Sequence, residues 1–300
     1  MTVPTTHDET STGDAWTVKR VMDWTVGHLQ RKGSDSPRLD TEILLAHARG
    51  CERIELYTHF NDVLTNEERN IMRELVQRRA NNEPVAYLVG YREFYSLEFE
   101  VNKDVLIPRP DTETIVLELL EIAKTMASPK IIDVCTGSGC IAISVAVNHN
   151  TAEVTATELF DPAMQLAQGN AEKHEVADRI EFVQGDLLTC IQPQQQFDIV
   201  ASNPPYVPTL DIETLEADVR DHEPHTALDG GHDGVKFISR LIEDAPKYLK
   251  DGGYLMLEMG PEQAGVVCEL IDENGNFSDA QILTDLAGRS RVACARKKPK

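Results

Sequence analysis

From Pro110 onward the sequence repeats one pattern, a short apolar run of strand length followed by a longer amphipathic stretch. The runs are Lys130 to Val134, Val154 to Thr157, Ile180 to Val183, Phe197 to Ala201, Tyr254 to Leu257, Ala280 to Leu283 and Arg291 to Ala295. Each parallel strand needs a crossover helix packed on one face, so this alternation predicts an α/β fold with a doubly wound, mostly parallel seven-stranded sheet over residues 110–300. Ligands of such sheets bind at the carboxyl ends of the strands, near the point where strand order reverses. The residues that follow each run are therefore the candidates for function.

The N-terminal third has a different period. Val18, Val21, Met22 and Leu29 form a helical stripe up to Gly33, and Ser36-Pro37 supplies a cap and first-turn proline for a second helix reaching Gly50. Thr65 and Glu68 form a capping box for a third helix, which carries Ile71, Met72, Leu75 and Val76 and stops at Asn81-Asn82. These signals predict a small helical domain over residues 15–84. The aromatic and β-branched residues between Pro84 and Pro110 predict a β-hairpin linker over 85–109. Residues 1–14 are polar and acidic, unlike a secretory or organellar leader, and are expected to be disordered.

Charge narrows the partners. Fifty acids against 29 bases give a net charge of −21, a field that repels nucleic acid and anionic lipid, so no direct nucleic acid binding is expected. The one basic run, Arg296 to Lys300, reads as a solvated end. Six scattered cysteines without a C-x-x-C pair imply reduced thiols and a cytoplasmic setting. No apolar run approaches a membrane span. The histidines and acids of Asp221 to His225, with His232 and Asp233, match no usual metal spacing and read as a surface loop beside the crevice. No metal is expected.

The first run ends in Asp133-Val134-Cys135-Thr136-Gly137-Ser138-Gly139, and a helix follows. Glycines here permit close backbone approach to a ligand, and the pattern fits a dinucleotide as well as a nucleoside cofactor. Glu158, ending the second run, suits ribose hydroxyls in either case. Gly185-Asp186-Leu187 after the third run leans toward S-adenosylmethionine, with Asp186 accepting from adenine and Leu187 covering the ring. Asp133 adds a third acid near a cofactor that carries a sulfonium and no phosphate, and the pocket is expected to be anionic.

Asn203-Pro204-Pro205-Tyr206 ends the fourth run and should face the same crevice. Proline fixes the backbone and removes donors, so this segment neither extends a sheet nor starts a helix. Asn203 and the Pro204 carbonyl can accept the two N–H bonds of a planar NH₂ group, and Tyr206 can stack on its plane. Orientation and local electrostatics would then activate a poor nitrogen nucleophile. Adenine, cytosine or a carboxamide would fit such a clamp. A DNA adenine methyltransferase would need the basic surface this chain lacks, and a dinucleotide-dependent dehydrogenase leaves the paired prolines unexplained.

Almost everything after residue 14 resembles the peptide chain release factor glutamine methyltransferases, the HemK family of protein-(glutamine-N5) methyltransferases. The likeness rests on Asp40-Thr41-Glu42, Pro84 to Leu88, Pro108-Arg109-Pro110-Asp111-Thr112-Glu113, the glycine loop and Asn203 to Tyr206. It continues through Glu223-Pro224, Gly230-Gly231, Asp233-Gly234 and Asp285-Leu286-Ala287-Gly288 with Arg291-Val292. The resemblance implies a Rossmann-like methyltransferase domain and methyl transfer from S-adenosyl-L-methionine to the glutamine of the Gly-Gly-Gln loop of class one release factors, leaving S-adenosyl-L-homocysteine. It implies that Cys135, Thr136, Gly137, Ser138 and Gly139 line the methionine part of the cofactor, Glu158 the ribose and Asp186 with Leu187 the adenine, with Asn203 touching it as well. Asn203, Pro204 and Tyr206 would be catalytic, and together with Pro205 and Arg109 would hold the substrate. Cys135 stands where many relatives have glycine, and no loss of binding is expected from it. The helical domain would grip the release factor, and a monomer would suffice. Ribosomal-protein glutamine methyltransferases look similar but usually depart from the Pro108 to Glu113 pattern.

Overall fold

The computed structural model describes residues 15–192 and 194–299, so the expected leader lies outside the described residues. The chain divides between Val89 and Gly90 into two compact units.

The first unit is helical. α1 (Val18–Arg31) starts at Thr17, whose hydroxyl accepts from Arg20 N at 3.3 Å, and buries Val18, Val21, Met22, Thr25 and Leu29. α2 (Pro37–Arg49) begins at the expected proline. α3 (Arg53–Thr58), which no apolar period announces, is held by Glu52 and Glu55 capping each other's backbone. α4 (Asn66–Arg79) carries the expected box: Glu68 N donates to Thr65 Oγ1 at 3.1 Å and Thr65 N to Glu68 Oε2 at 2.6 Å. Apolar stripes of these helices and of α5 (Val85–Val89) meet in one core built on Leu29, Leu44, Leu45 and Leu56. Two acids of the Asp40-Thr41-Glu42 segment pin it from the side. Asp40 takes Arg79 Nε at 2.7 Å, and Glu42, only 4% exposed, holds Arg38, Arg53 and the Tyr57 hydroxyl.

The hairpin expected over 85–109 is shorter. Pro84 opens the helical turn α5, with Leu88 N donating to its carbonyl, so strand geometry waits until β1 (Tyr91–Phe94) and β2 (Leu97–Glu100). Phe94 and Phe99 are fully buried in the second unit's core, and the buried Asn170 side chain bonds both the N–H and the C=O of Glu100. The pair of phenylalanines makes the hairpin part of the second unit.

The rest of that unit is the doubly wound sheet. In chain order it comprises α6 (Glu113–Ala123), β3 (Lys130–Val134), α7 (Cys140–Asn148), β4 (Glu153–Glu158), α8 (Asp161–Lys173), β5 (Ile180–Gln184), β6 (Phe197–Ser202), α9 (Ala217–His222), α10 (Lys236–Tyr248), β7 (Leu249–Glu258), α11 (Ala264–Asn274), β8 (Phe277–Thr284) and β9 (Ser290–Lys297). The sheet order is β5-β4-β3-β6-β7-β9-β8; β3 to β7 run parallel and β9 pairs antiparallel with both neighbours. Side chains alternate between faces. Ile131, Ile199 and Met256 enter one apolar cluster, whereas Ile132, Val200, Leu255 and Leu257 enter the other. Strand order reverses between β3 and β6, so Val134 and Ser202 end side by side and the loops after them share one crevice.

The basic run at the C-terminus is not simply solvated. Arg296 and Lys297 finish β9, and Lys297 is buried with Nζ on the Leu249 carbonyl at 2.5 Å, because the antiparallel edge continues through them. Lys300 lies outside the described residues. All six cysteines are free, and among the described residues no helix is long and apolar enough to cross a membrane.

Candidate active site

A cleft of about 380 Å³ opens at the carboxyl ends of β3, β4, β5 and β6. Cys135, Thr136, Gly137, Ser138, Glu158, Asp186, Leu187, Asn203, Pro205 and Arg109 all line it, so one crevice gathers residues from five separate segments.

The glycine loop is held from behind by two acids of different character. Asp133 is fully buried and does not line the cleft, contrary to the expectation of a third acid beside the cofactor. Its Oδ2 accepts from Thr136 Oγ1 at 2.6 Å and Ala142 N at 3.2 Å, stapling the loop to the start of α7. Burial pushes its carboxyl up to about 7, against the pull of those two bonds. Glu158 lies at the wall, where its Oε2 takes Gly137 N at 3.0 Å and its Oε1 takes Leu159 N and Phe160 N at 2.9 and 3.1 Å. Three amides therefore fix its direction.

Gly139 stands behind the wall rather than on it. An added Cβ would meet Ile143 Cδ1 at 2.7 Å and Ala167 Cβ at 3.3 Å, so this glycine lets α7 pack against α8. At Gly137 an added Cβ meets nothing within 4 Å, as expected of a backbone facing the open cleft. Cys135 takes φ +62°, the left-handed conformation that costs a side-chain-bearing residue roughly 1–2 kcal/mol. A glycine at this position would avoid that cost. Burial, reinforced by Glu158 and Asp133, raises the Cys135 thiol, and burial pushes Cys140 up to about 12; both stay protonated and neither is a nucleophile.

Asp186 has a partner that the sequence did not announce. Arg240 of α10 grips it with two bonds, Nη1 to Oδ1 at 3.2 Å and Nη2 to Oδ2 at 2.6 Å. Arg109, Lys236 and Asp229 also line the cleft, so its charge is mixed rather than uniformly anionic.

The Asn203 to Tyr206 loop is fastened on three sides. Asn203 Nδ2 donates one of its two N–H bonds to Thr112 Oγ1 at 3.1 Å, which turns the NH₂ end toward the hydroxyl and leaves Oδ1 as an acceptor. Contrary to the expectation that the whole tetrapeptide faces the crevice, only Asn203 and Pro205 line it; Pro204 is buried behind them, and Tyr206 packs against the apolar core. The Tyr206 hydroxyl donates to Glu258 Oε1 at 3.2 Å, and its carbonyl accepts from Gln263 Nε2 at 2.9 Å. Residues 228–234 strap the loop down: Val207 N donates to the Leu228 carbonyl, Gly230 N to the Val207 carbonyl, and Gly230 lies against the Tyr206 backbone.

Glu223 was read as part of a surface loop, but it is 4% exposed. Its Oε2 accepts from Ile107 N at 3.0 Å and its Oε1 from Arg109, so it fixes the Pro108-Arg109-Pro110 segment across more than a hundred residues of sequence. Burial raises its carboxyl and Arg109 opposes that. Among the described residues no group of three or more His, Cys, Asp or Glu could hold a metal ion.

Two family models match the chain, the PrmC N-terminal domain over residues 20–90 and the methyltransferase small domain over 110–218. A release factor glutamine methyltransferase of Rhodopirellula baltica is 44% identical, covering 96% of this chain and 99% of that protein. The chain belongs to the release factor glutamine methyltransferase family. The Geobacter sulfurreducens release factor glutamine methyltransferase is 43% identical over 94% of this chain and 98% of its own length, so the family likeness takes in both units. The N-terminal domain of human METTL16, solved in complex with SAH, superposes with a TM-score of 0.53 over 75% of this chain and 84% of that one. At 18% identity that likeness speaks for the fold alone.

Proposed function

We propose that this protein methylates the side-chain amide nitrogen of the glutamine in the Gly-Gly-Gln loop of class one peptide chain release factors, using S-adenosyl-L-methionine. The observation that carries the reading is the oriented Asn203 amide at the rim of a nucleoside-sized cleft, in a chain of this family. The lining fits that cofactor. Cys135 to Ser138 would hold its methionine part, Glu158 its ribose, and Asp186 with Leu187 its adenine, with Asn203 touching it from the rim. Each Asp186 oxygen keeps a second lone pair beyond Arg240, enough to accept from an adenine amino group. The bound cofactor supplies an electrophilic methyl group on a sulfonium.

The chain's own residues prepare the acceptor. Asn203 Oδ1 and the Pro204 carbonyl take the two N–H bonds of the glutamine amide, which increases electron density on nitrogen and fixes the direction of its attack. Tyr206 packs on the amide plane, and Pro205 with Arg109 borders the entry of the loop. Orientation of this kind supplies several kcal/mol without a strong base. As the N–CH₃ bond forms the C–S bond breaks, S-adenosyl-L-homocysteine leaves as the neutral thioether, and the displaced N–H proton passes to water. The cleft is complete within one chain, which supports a monomer, and a release factor is a cytoplasmic partner.

Incubating the full chain with cofactor and a release factor should add the mass of one methyl group to the peptide containing that glutamine, with no gain on duplex DNA or ribosomal protein. An unmodified glutamine would refute the proposal. The helical unit is proposed to grip the body of the release factor. The chain from Gly90 onward, which has cores of its own, is accordingly expected to keep cofactor binding and to lose at least tenfold more kcat/KM on intact release factor than on a short loop peptide, about 1.4 kcal/mol of differential binding. Equal losses on both substrates would count against that role.

A further inference from the structure

Two sides of the acceptor clamp lead back to one buried carboxyl. Glu258 is the last residue of β7, one step beyond the Leu257 that pairs with Ser202, and it is 1% exposed. Its Oε1 accepts the Tyr206 hydroxyl at 3.2 Å. On its other side stands Thr112, 1% exposed, whose hydroxyl faces the same carboxyl. Thr112 Oγ1 already accepts from Asn203 Nδ2, so its single proton is free to be given away. Glu258 Oε2 accepts from no described residue and is the acceptor at hand.

Such an arrangement is a poor way to stabilise a fold. A buried carboxyl with an unsatisfied oxygen costs stability, and an apolar residue of similar volume would pack at lower cost. What the carboxylate can do is accept the Tyr206 hydroxyl on one oxygen and hold its open second oxygen toward the Thr112 hydroxyl, able to accept there but not to donate, which fixes the sense of both. We propose that Glu258 is a positioning residue for the transfer, holding the Tyr206 ring directly and the Asn203 amide through Thr112, so that the clamp presents oxygens to the substrate amide. The inference rests on the glutamine-methylation reading above.

The sense of the relay depends on the proton. Burial pushes the Glu258 carboxyl up to about 7; Thr112, Tyr206 and the charge of Arg291 lower it, and Asp111 raises it. Arg291, from β9, is itself shared between Asp111 at 2.7 Å and Asp285 at 3.3 Å, and the protonated thiol of Cys140 lies within reach of the same charge. Once protonated, Glu258 becomes a donor toward one of its two hydroxyls, and that arm of the clamp loses its anchor. The ionised form, above about pH 7, is the positioning form.

The test is Glu258→Gln, which keeps the shape and gives one acceptor and one donor at every pH. With wild-type enzyme, kcat on a release factor should rise as Glu258 ionises near pH 7, a range in which the buried Asp133 carboxyl titrates as well. E258Q should lose on the order of tenfold to a hundredfold in kcat at pH 8, flatten the profile between pH 6 and 8, and change KM for release factor and affinity for S-adenosylmethionine by less than about threefold. Wild-type kcat in E258Q, or a lowered kcat whose rise between pH 6 and 8 is as large as in the wild type, would overturn the proposal. Should E258Q fold poorly, Thr112→Val reads the same relay: a kcat loss at unchanged melting temperature supports it, and full activity overturns it. If wild-type enzyme itself leaves glutamine unmodified, the function assignment fails first, and the two failures are thus distinct.

Discussion

Asn203→Ala is expected to lower kcat about a thousandfold, the upper range for removing one preorganised hydrogen-bonding group from a reacting centre. The variant takes away the oxygen proposed to accept one substrate N–H, and it leaves Thr112 Oγ1 without its donor. Because the glycine loop, Glu158 and Asp186 are untouched and Asn203 would touch the cofactor only from the rim, affinity for S-adenosylmethionine should fall by no more than about tenfold, about 1.4 kcal/mol. Single-turnover methylation of a release-factor peptide, beside calorimetric titration of the cofactor, separates the two quantities. A kcat within tenfold of wild type would remove Asn203 from the acceptor clamp.

Gly230→Ala should do comparable damage from outside the cleft. A Cβ there would lie 2.7 Å from Tyr206 Cα and 2.6 Å from the Gly234 carbonyl, and both are backbone atoms that cannot swing aside. Tyr206 must shift or the strap must open. Overpacking of this kind costs about 1–3 kcal/mol of stability, and a displacement of about 1 Å in an acceptor clamp costs on the order of a hundredfold in rate. Denaturant unfolding should show the first effect, and kcat at a temperature where the variant stays folded should show the second. Full activity with unchanged stability would mean that the strap does not set the position of Tyr206.

The sheet was legible because its signals are local. Seven apolar runs, the proline of α2 and the Thr65 box each lie within a few residues, and the strands extend those runs by a few residues at their ends. Helix α3 was hidden because its six residues carry caps made by glutamates rather than an apolar stripe. The hairpin's allegiance depended on where Phe94 and Phe99 point, which alternation alone does not fix. At the site, the residues that meet the cleft follow strand ends and could be read. Those that hold them in place could not, since Thr112, Glu223, Arg240 and Glu258 reach their partners across 50 or more positions of sequence. Asp133 misled for a related reason. An acid at a strand end looks the same in sequence whether it faces a ligand or, as here, is turned inward onto Thr136 and Ala142.

The single bond from Asn203 to Thr112 also decides which side chains the clamp rejects. With its NH₂ end turned to that hydroxyl, Asn203 presents its oxygen to the incoming group on the proposed reading, and the Pro204 carbonyl presents oxygen as well. A glutamate, differing from glutamine by one NH₂, would bring two electron-rich oxygens against two others with no proton between them. On the proposed reading, the bond that readies an amide for methylation would also make the site repel an acid of identical shape.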